Sequence, residues 1–254
     1  MRKIYLILVV AMLVCIGCEW RLRSDFMSDS ESFVERYDRM EAFFLTTGDF
    51  SALQQMQIEY PQQTRRLIED VLQLGKVDDE HINARFYSFF QDSTLQMLIA
   101  EVGHQYGDMS DIDKQLSKAF DRLVELVPEV SVPVIYTQIG SLDQSIVVGD
   151  GLLGISLDKY LGSDYPLYVK YGYTERQRSM MTREFIIPDC LSFYLLSLYP
   201  VPVDSLRDVH MGYIQHTVNC VMNRQVFVND GVKLAKHRMD SIKGLSLTEL
   251  LKGN

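Results

Sequence analysis

Few side chains in this sequence could do chemistry together. The five histidines are His81, His104, His210, His216 and His237. Glu101 and His104 stand three apart, the spacing used by carboxylate-bridged metal bundles, but such sites need two of these pairs and here there is one. His210 and His216 are six apart and do not share a helical face. All five read as surface or capping histidines, and neither a metal nor a cofactor is expected. The stretch Arg183-Glu184-Phe185-Ile186-Ile187 follows a strand-rich region, as the HExxH helix of zinc peptidases follows an edge strand. Arg183 and Ile187 occupy the histidine positions, which leaves only Glu184, the would-be general base. Catalytic zinc takes about three protein ligands. If this scaffold is zincin-like, it has lost its metal, and the simpler reading makes Arg183 and Glu184 an exposed pair on an amphipathic helix. GxSxG and phosphate-loop motifs are absent. A hydrolase would need an unrecognised site around Glu184 and Asp189.

The elements that must position any site centre on residues 132–162. Val132, Val134 and Tyr136 alternate with Pro133, Ile135 and Thr137, the period of a half-buried strand. Two apolar runs, 145–148 and 152–157, flank Gly149-Asp150-Gly151, a hairpin signature. Residues 140–162 hold five of the chain's fifteen glycines, which suits tight turns or close approach of another group. The stretch ends in Ser156-Leu157-Asp158-Lys159-Tyr160-Leu161-Gly162. Leu157 and Leu161 read as core. Asp158 and Lys159 read as exposed, because a charged pair just past a strand is seldom buried. Tyr165, Tyr168, Tyr171 and Tyr173 crowd the next loop, and Asp158, Lys159, Tyr160, Tyr165 and Tyr168 make up the candidate interaction surface.

At the other end, Arg2 and Lys3 precede an unbroken apolar run, residues 4–14, too short to span a bilayer and suited to a secretory signal. Gly17-Cys18 supplies the small residue before cysteine that lipoprotein processing requires, so Cys18 is the expected lipidation site. Acyl chains contribute about 0.8 kcal/mol per buried methylene, enough for lasting attachment to a membrane. No later segment approaches the length of a transmembrane helix. Without residues 1–18 the chain carries 23 basic and 34 acidic residues, a balance of −11 that argues against nucleic acid. Cys190 and Cys220 then remain, either paired or as two buried thiols.

The organisation expected is a lipoprotein signal over 1–18, a polar tether over 19–32 and one domain over 33–254. Helical periodicity runs from Phe33 to Gly48, a Ser51-x-x-Gln54 box opens a second helix, and further helices cover 62–74, 79–90 and 93–106. Ser110, with Asp113 three residues on, caps a helix ended by Pro128. Thr174 and Gln177 open a long helix to about Tyr199, kinked or split by Pro188 near Ile187. A last long helix covers 205–227, with Leu206, Val209, Tyr213, Thr217, Cys220 and Val221 on one face. The tail from Val228 is charged, with one short helix after a Ser246/Glu249 box.

The lipoprotein signal, PVIYTQIG from Pro133, GLLGISLDKYLG from Gly151, DYPLY from Asp164 and TREFIIPDCL from Thr182 together resemble the gliding motility-associated lipoprotein GldB family. The resemblance is strongest over 133–223 and implies a cell-envelope lipoprotein required for gliding, with no assigned catalytic activity. Family members tend to continue beyond the point where this chain stops, at Leu250-Leu251-Lys252-Gly253-Asn254. The expected fold class is α+β, mostly helical, with a small β-meander or sheet from 132–157 packed against long C-terminal helices. The expected function is non-catalytic, through contacts with envelope proteins at a membrane reached by the lipid anchor, facing the periplasm. The competing readings are a degenerate or unrecognised peptidase or hydrolase, and an envelope-glycan binder using the tyrosines as stacking faces.

Overall fold

Two-residue strand β1 (Val34–Glu35) opens the fold, in a computed structural model that describes residues 32–253. The signal, Cys18 and all but the end of the tether lie outside the described residues. Helices α1 (Tyr37–Thr47), α2 (Phe50–Glu59) and α3 (Pro61–Arg66) follow, and α3 runs on into a π-type stretch, Leu67–Val71. Gly48 ends α1 with φ of 69°, where its N–H returns to the Phe44 carbonyl. Helices α4 (Ile82–Phe89), α5 (Ser93–Gln105) and α6 (Ser110–Leu126) complete the N-terminal layer. Helix α6 buries Ile112, Leu116, Ala119, Phe120 and Leu123, a clean apolar stripe at helical spacing.

Strands β2 (Val134–Gln138), β3 (Ile146–Gly149) and β4 (Leu152–Ser156) join β1 in one mixed sheet, ordered β1-β2-β4-β3. The hairpin is confirmed. Gly149 pairs with Leu152, and Asp150 and Gly151 take φ of 47° and 75°, the left-handed pair that a tight two-residue turn requires. The connectivity is not a meander, however. β2 lies parallel to both β1 and β4, so β3 is displaced to the edge and returns the chain to β2's side. Ile135, Tyr136, Thr137 and Gln138 are all buried, where alternation had suggested a half-buried strand. A strand covered on both faces loses its polar period. Gly154, opposite Tyr136, leaves room for the phenol: a Cβ there would stand 2.6 Å from the ring's hydroxyl.

After β4 come a 3₁₀ turn (Leu157–Lys159), α7 (Pro166–Lys170), α8 (Glu175–Arg178), a second 3₁₀ turn (Arg183–Phe185) and α9 (Ile186–Leu198). The Thr174/Gln177 capping box is present, but it opens one turn of helix instead of a long one. The break falls at 179–182, before Pro188. Pro188 lies in the first turn of α9, where its missing N–H has no helical partner to lose. Helix α10 (Arg207–Met222) buries Tyr213, Ile214, Thr217, Val218 and Val221, while Leu206 is exposed. The charged tail holds a further helix that periodicity missed, α11 (Asp230–Ser241), besides the boxed α12 (Leu247–Leu251). Helix α11 buries only Ala235 among its own residues. It docks because Gly212 and Gly231 meet backbone to backbone: a Cβ on Gly212 would lie 2.4 Å from the Gly231 carbonyl carbon.

Two caps move. Asp49 caps α2 by accepting from Ser51 N, Asp113 accepts from the Val34 amide across the fold, and Asp108 accepts from Ser110 N at the start of α6. The described residues from Phe33 onward thus form one compact α+β unit.

Candidate functional site

Parallel β2 and β4 deliver their chain exits, residues 139–143 and 157–161, to the same end of the sheet. The loop after β2 is unusual. Ser141 and Leu142 both have positive φ, 52° and 65°, a conformation that side chains disfavour. The segment after β4 holds it. Asp158 accepts from Gly140 N at 2.7 Å and from Leu142 N at 2.5 Å. Lys159 Nζ donates to the carbonyls of Leu142 at 3.2 Å and Asp143 at 3.3 Å, and to Tyr173 Oη at 2.9 Å. Adjacent residues of opposite charge therefore grip the donor and acceptor ends of one strained loop. Tyr173 Oη also donates to Leu142 O, and the Lys159 ammonium stands 4.6 Å from the Tyr173 ring centroid.

The expectation of an exposed Asp158–Lys159 surface is corrected here. Asp158 is fully buried and Lys159 is 8% exposed, because each meets backbone groups that must be satisfied away from water. Tyr160 and Tyr168 are buried too. Tyr168 Oη donates to Asp158 O and accepts from Leu161 N, and Tyr106 Oη donates to Tyr160 O. Tyr160 Oη donates to Asp189 at 2.8 Å. Of the five residues, Tyr165 alone keeps partial exposure, with its ring edge-on to Tyr168. What remains outside is a short ridge beyond the clamp: Val169 and Tyr171 are each 56% exposed.

Three carboxyls, Asp158 and Glu41 buried and Asp189 partly so, surround this end of the sheet with shifted proton affinity. Burial pushes Asp158 up, against the lowering effect of its two amide bonds and of Lys159. Burial carries Asp189 to about 6, opposed by the Tyr160 hydrogen bond. Glu41 is raised well above the usual range, first by burial and then by Asp38 and Asp158. Glu41 Oε2 accepts from Ile139 N at 2.9 Å, at the start of the same loop. Nearby, Asp38 takes a bidentate Arg36 and accepts from the Thr137 hydroxyl. Sequence reading passed over Glu41, although a signal existed: it lies four residues after Tyr37 and three before Phe44, inside an apolar stripe.

The remaining candidates do not converge. Glu184 is exposed and sits in the 3₁₀ turn before α9, not on the helix, with its carboxyl lowered by its own amide and by Thr182. Arg183 lowers the Glu184 carboxyl through its charge, but its hydrogen bonds go elsewhere. Its guanidinium pairs with Asp111 at 2.6 Å, donates to Gln105 O and Asp108 O, and lies over the Tyr106 ring. Glu101 accepts from Gln105, and among the described residues no three of His, Cys, Asp and Glu gather as a metal site. His210 corrects the surface reading of the histidines: it is buried, with Nε2 2.6 Å from Tyr199 O. Cys190 and Cys220 are free thiols. A cavity of about 460 Å³ opens elsewhere, between Glu129, Tyr199, Pro200, Pro202, His210 and Lys252. Its charged groups are engaged with one another, since Lys252 Nζ reaches Glu129 at 2.7 Å.

Fold and site together define a small mixed-sheet α+β domain whose sheet exit is locked by a buried polar clamp. The chain belongs to the gliding motility protein GldB family, whose sequence model matches residues 24–210, and is thereby a gliding-motility-associated lipoprotein of the cell envelope. The match covers the sheet, the clamp and the start of α10. No curated protein and no solved structure matches the chain. Among the described residues, no helix is long and apolar enough to cross a membrane.

Proposed function

We propose that this protein is a non-catalytic envelope lipoprotein, lipidated at Cys18 and facing the periplasm, that works by protein contact. The observation supporting this reading is the ridge of Val169, Lys170 and Tyr171. Two large apolar side chains stand more than half exposed there, on a segment whose neighbours Tyr168 and Tyr173 are hydrogen-bonded into the clamp. A rigidly held aromatic with an exposed face suits a contact anchor, because little side-chain entropy is lost on binding. The net negative charge favours protein partners over nucleic acid or anionic lipid.

The test is a pair of variants, Val169→Ser and Tyr171→Ser, in gliding cells. Melting should be unchanged, while colony spreading and site-specific photocrosslinking from position 170 should fail. Parent-like spreading by both folded variants would sink the contact reading. Catalysis by zinc is disfavoured by Arg183 and Ile187 at the ligand positions. Elemental analysis of protein purified without chelators should find less than stoichiometric zinc, and zinc that survives dialysis but is lost in Glu184→Ala would overturn this. A glycan-binding alternative draws on the cavity beside Tyr199, whose ring and prolines offer stacking faces.

A further inference from the structure

Buried polar atoms nearly always have hydrogen-bond partners, so orphans gathered in one interface call for an explanation. Glu41 Oε1, Gln138 Oε1 and Tyr136 Oη are all buried without one, and beside them the buried Tyr37 hydroxyl has only Thr64. Tyr37 and Glu41 are successive turns of α1; Tyr136 and Gln138 are alternate residues on one face of β2. The Tyr37 and Tyr136 rings meet edge to face at 6.1 Å, and Glu41 bonds to Ile139, the residue after Gln138. The orphans therefore share the α1–β2 interface. Two of them, Glu41 Oε1 and Gln138 Oε1, can only accept if the carboxyl is ionised, and the Gln138 amide nitrogen is already committed to Ser156 Oγ at 3.1 Å.

Among the described residues, the charged surroundings give ionised Glu41 no counterion. On its own helix, Tyr37 and Asp38 face it, and Asp38 is paired with Arg36. From β2 comes Tyr136, and from the segment after β4 comes Asp158. Lys159 is spent on the loop carbonyls, and Arg66 of α3 pairs with Asp150. An uncompensated charge at zero exposure is far costlier than a neutral acid.

We infer that Glu41 is a proton-binding site: a neutral carboxylic acid in the native protein, whose proton removes the charge this interface cannot compensate and whose carbonyl oxygen accepts from the Ile139 amide. The proton thereby latches α1 onto the loop that Asp158 and Lys159 hold from the other side. Loss of the proton leaves an unpaired charge at zero exposure, and it should loosen residues 139–142 first.

The decisive experiment compares the full chain with Glu41→Gln, which keeps the acceptor for Ile139 and supplies a permanent donor. Difference infrared spectra near pH 7 should show a protonated-carboxyl stretch in the parent that the variant lacks. Denaturant titrations add a second reading. Above Glu41's ordinary value of 4.5, the folding constant of the parent should fall relative to the variant by up to tenfold per pH unit. Amide exchange at Ile139 should rise with pH beyond the intrinsic rate in the parent alone. Should Glu41→Gln fold poorly, carboxyl-carbon NMR of the parent still reports the protonation state directly. A carboxylate signal for Glu41 at neutral pH, or a parent–variant stability gap that does not change with pH, would overturn the inference.

Discussion

Replacing Asp158 by Ala separates a clamp from a decorated surface. The carboxylate accepts two backbone N–H groups at 2.7 and 2.5 Å, in a place without solvent. Each buried donor left unpaired costs about 1–3 kcal/mol. The loss expected for Asp158→Ala is therefore ~2–6 kcal/mol, a large part of the ~5–15 kcal/mol that holds a typical domain folded. At about 2–4 °C per kcal/mol for a chain of this length, melting should fall by roughly 4–24 °C. An exposed capping aspartate would cost no more than about 2 kcal/mol. Asp158→Asn keeps one acceptor but turns an amide donor toward a backbone donor, so it should fall between parent and Ala. Urea titration and calorimetry on the three proteins supply the numbers. A loss below about 1 kcal/mol for Asp158→Ala, with an unchanged urea slope, would refute the clamp.

Three further outcomes follow from the same geometry. Asp189 binds its proton more tightly folded, at about 6 against an ordinary 3.8. Its contribution is thus complete below pH ~4 and lost as pH rises through 6, a fall of roughly 2–4 kcal/mol that Asp189→Asn should flatten in pH-dependent denaturation. Leu157 and Leu161 are buried on either side of the clamp, so each Ala replacement should cost ~2–5 kcal/mol by urea midpoint. Cys18→Ser should abolish palmitate labelling and membrane fractionation, whereas Cys15→Ser should leave both largely intact.

Elements fixed by neighbours in the chain were legible. Asp150-Gly151 dictated a hairpin because few other residues tolerate two left-handed positions in a row. The Thr174/Gln177 and Ser246/Glu249 boxes marked helix starts because each is a closed loop of hydrogen bonds within four residues. The α6 stripe was equally local. The same locality misled at Ser51 and Ser110, where a nearby aspartate or a distant backbone group competed for the bond.

Burial was the part that only tertiary structure decided. By itself the sequence determined the α+β class, the hairpin and the family motifs, and it located Leu157 and Leu161 in the core. It could not show that Asp158 and Lys159 are interior, since their partners are backbone groups of a loop 16 to 18 residues away. Nor could it pair Glu41 with Ile139, which are 98 residues apart. β1, two residues long, has meaning only as a parallel neighbour of β2. A charged side chain reads as exposed until the fold supplies the amides and carbonyls that replace water, and those groups belong to every residue type alike.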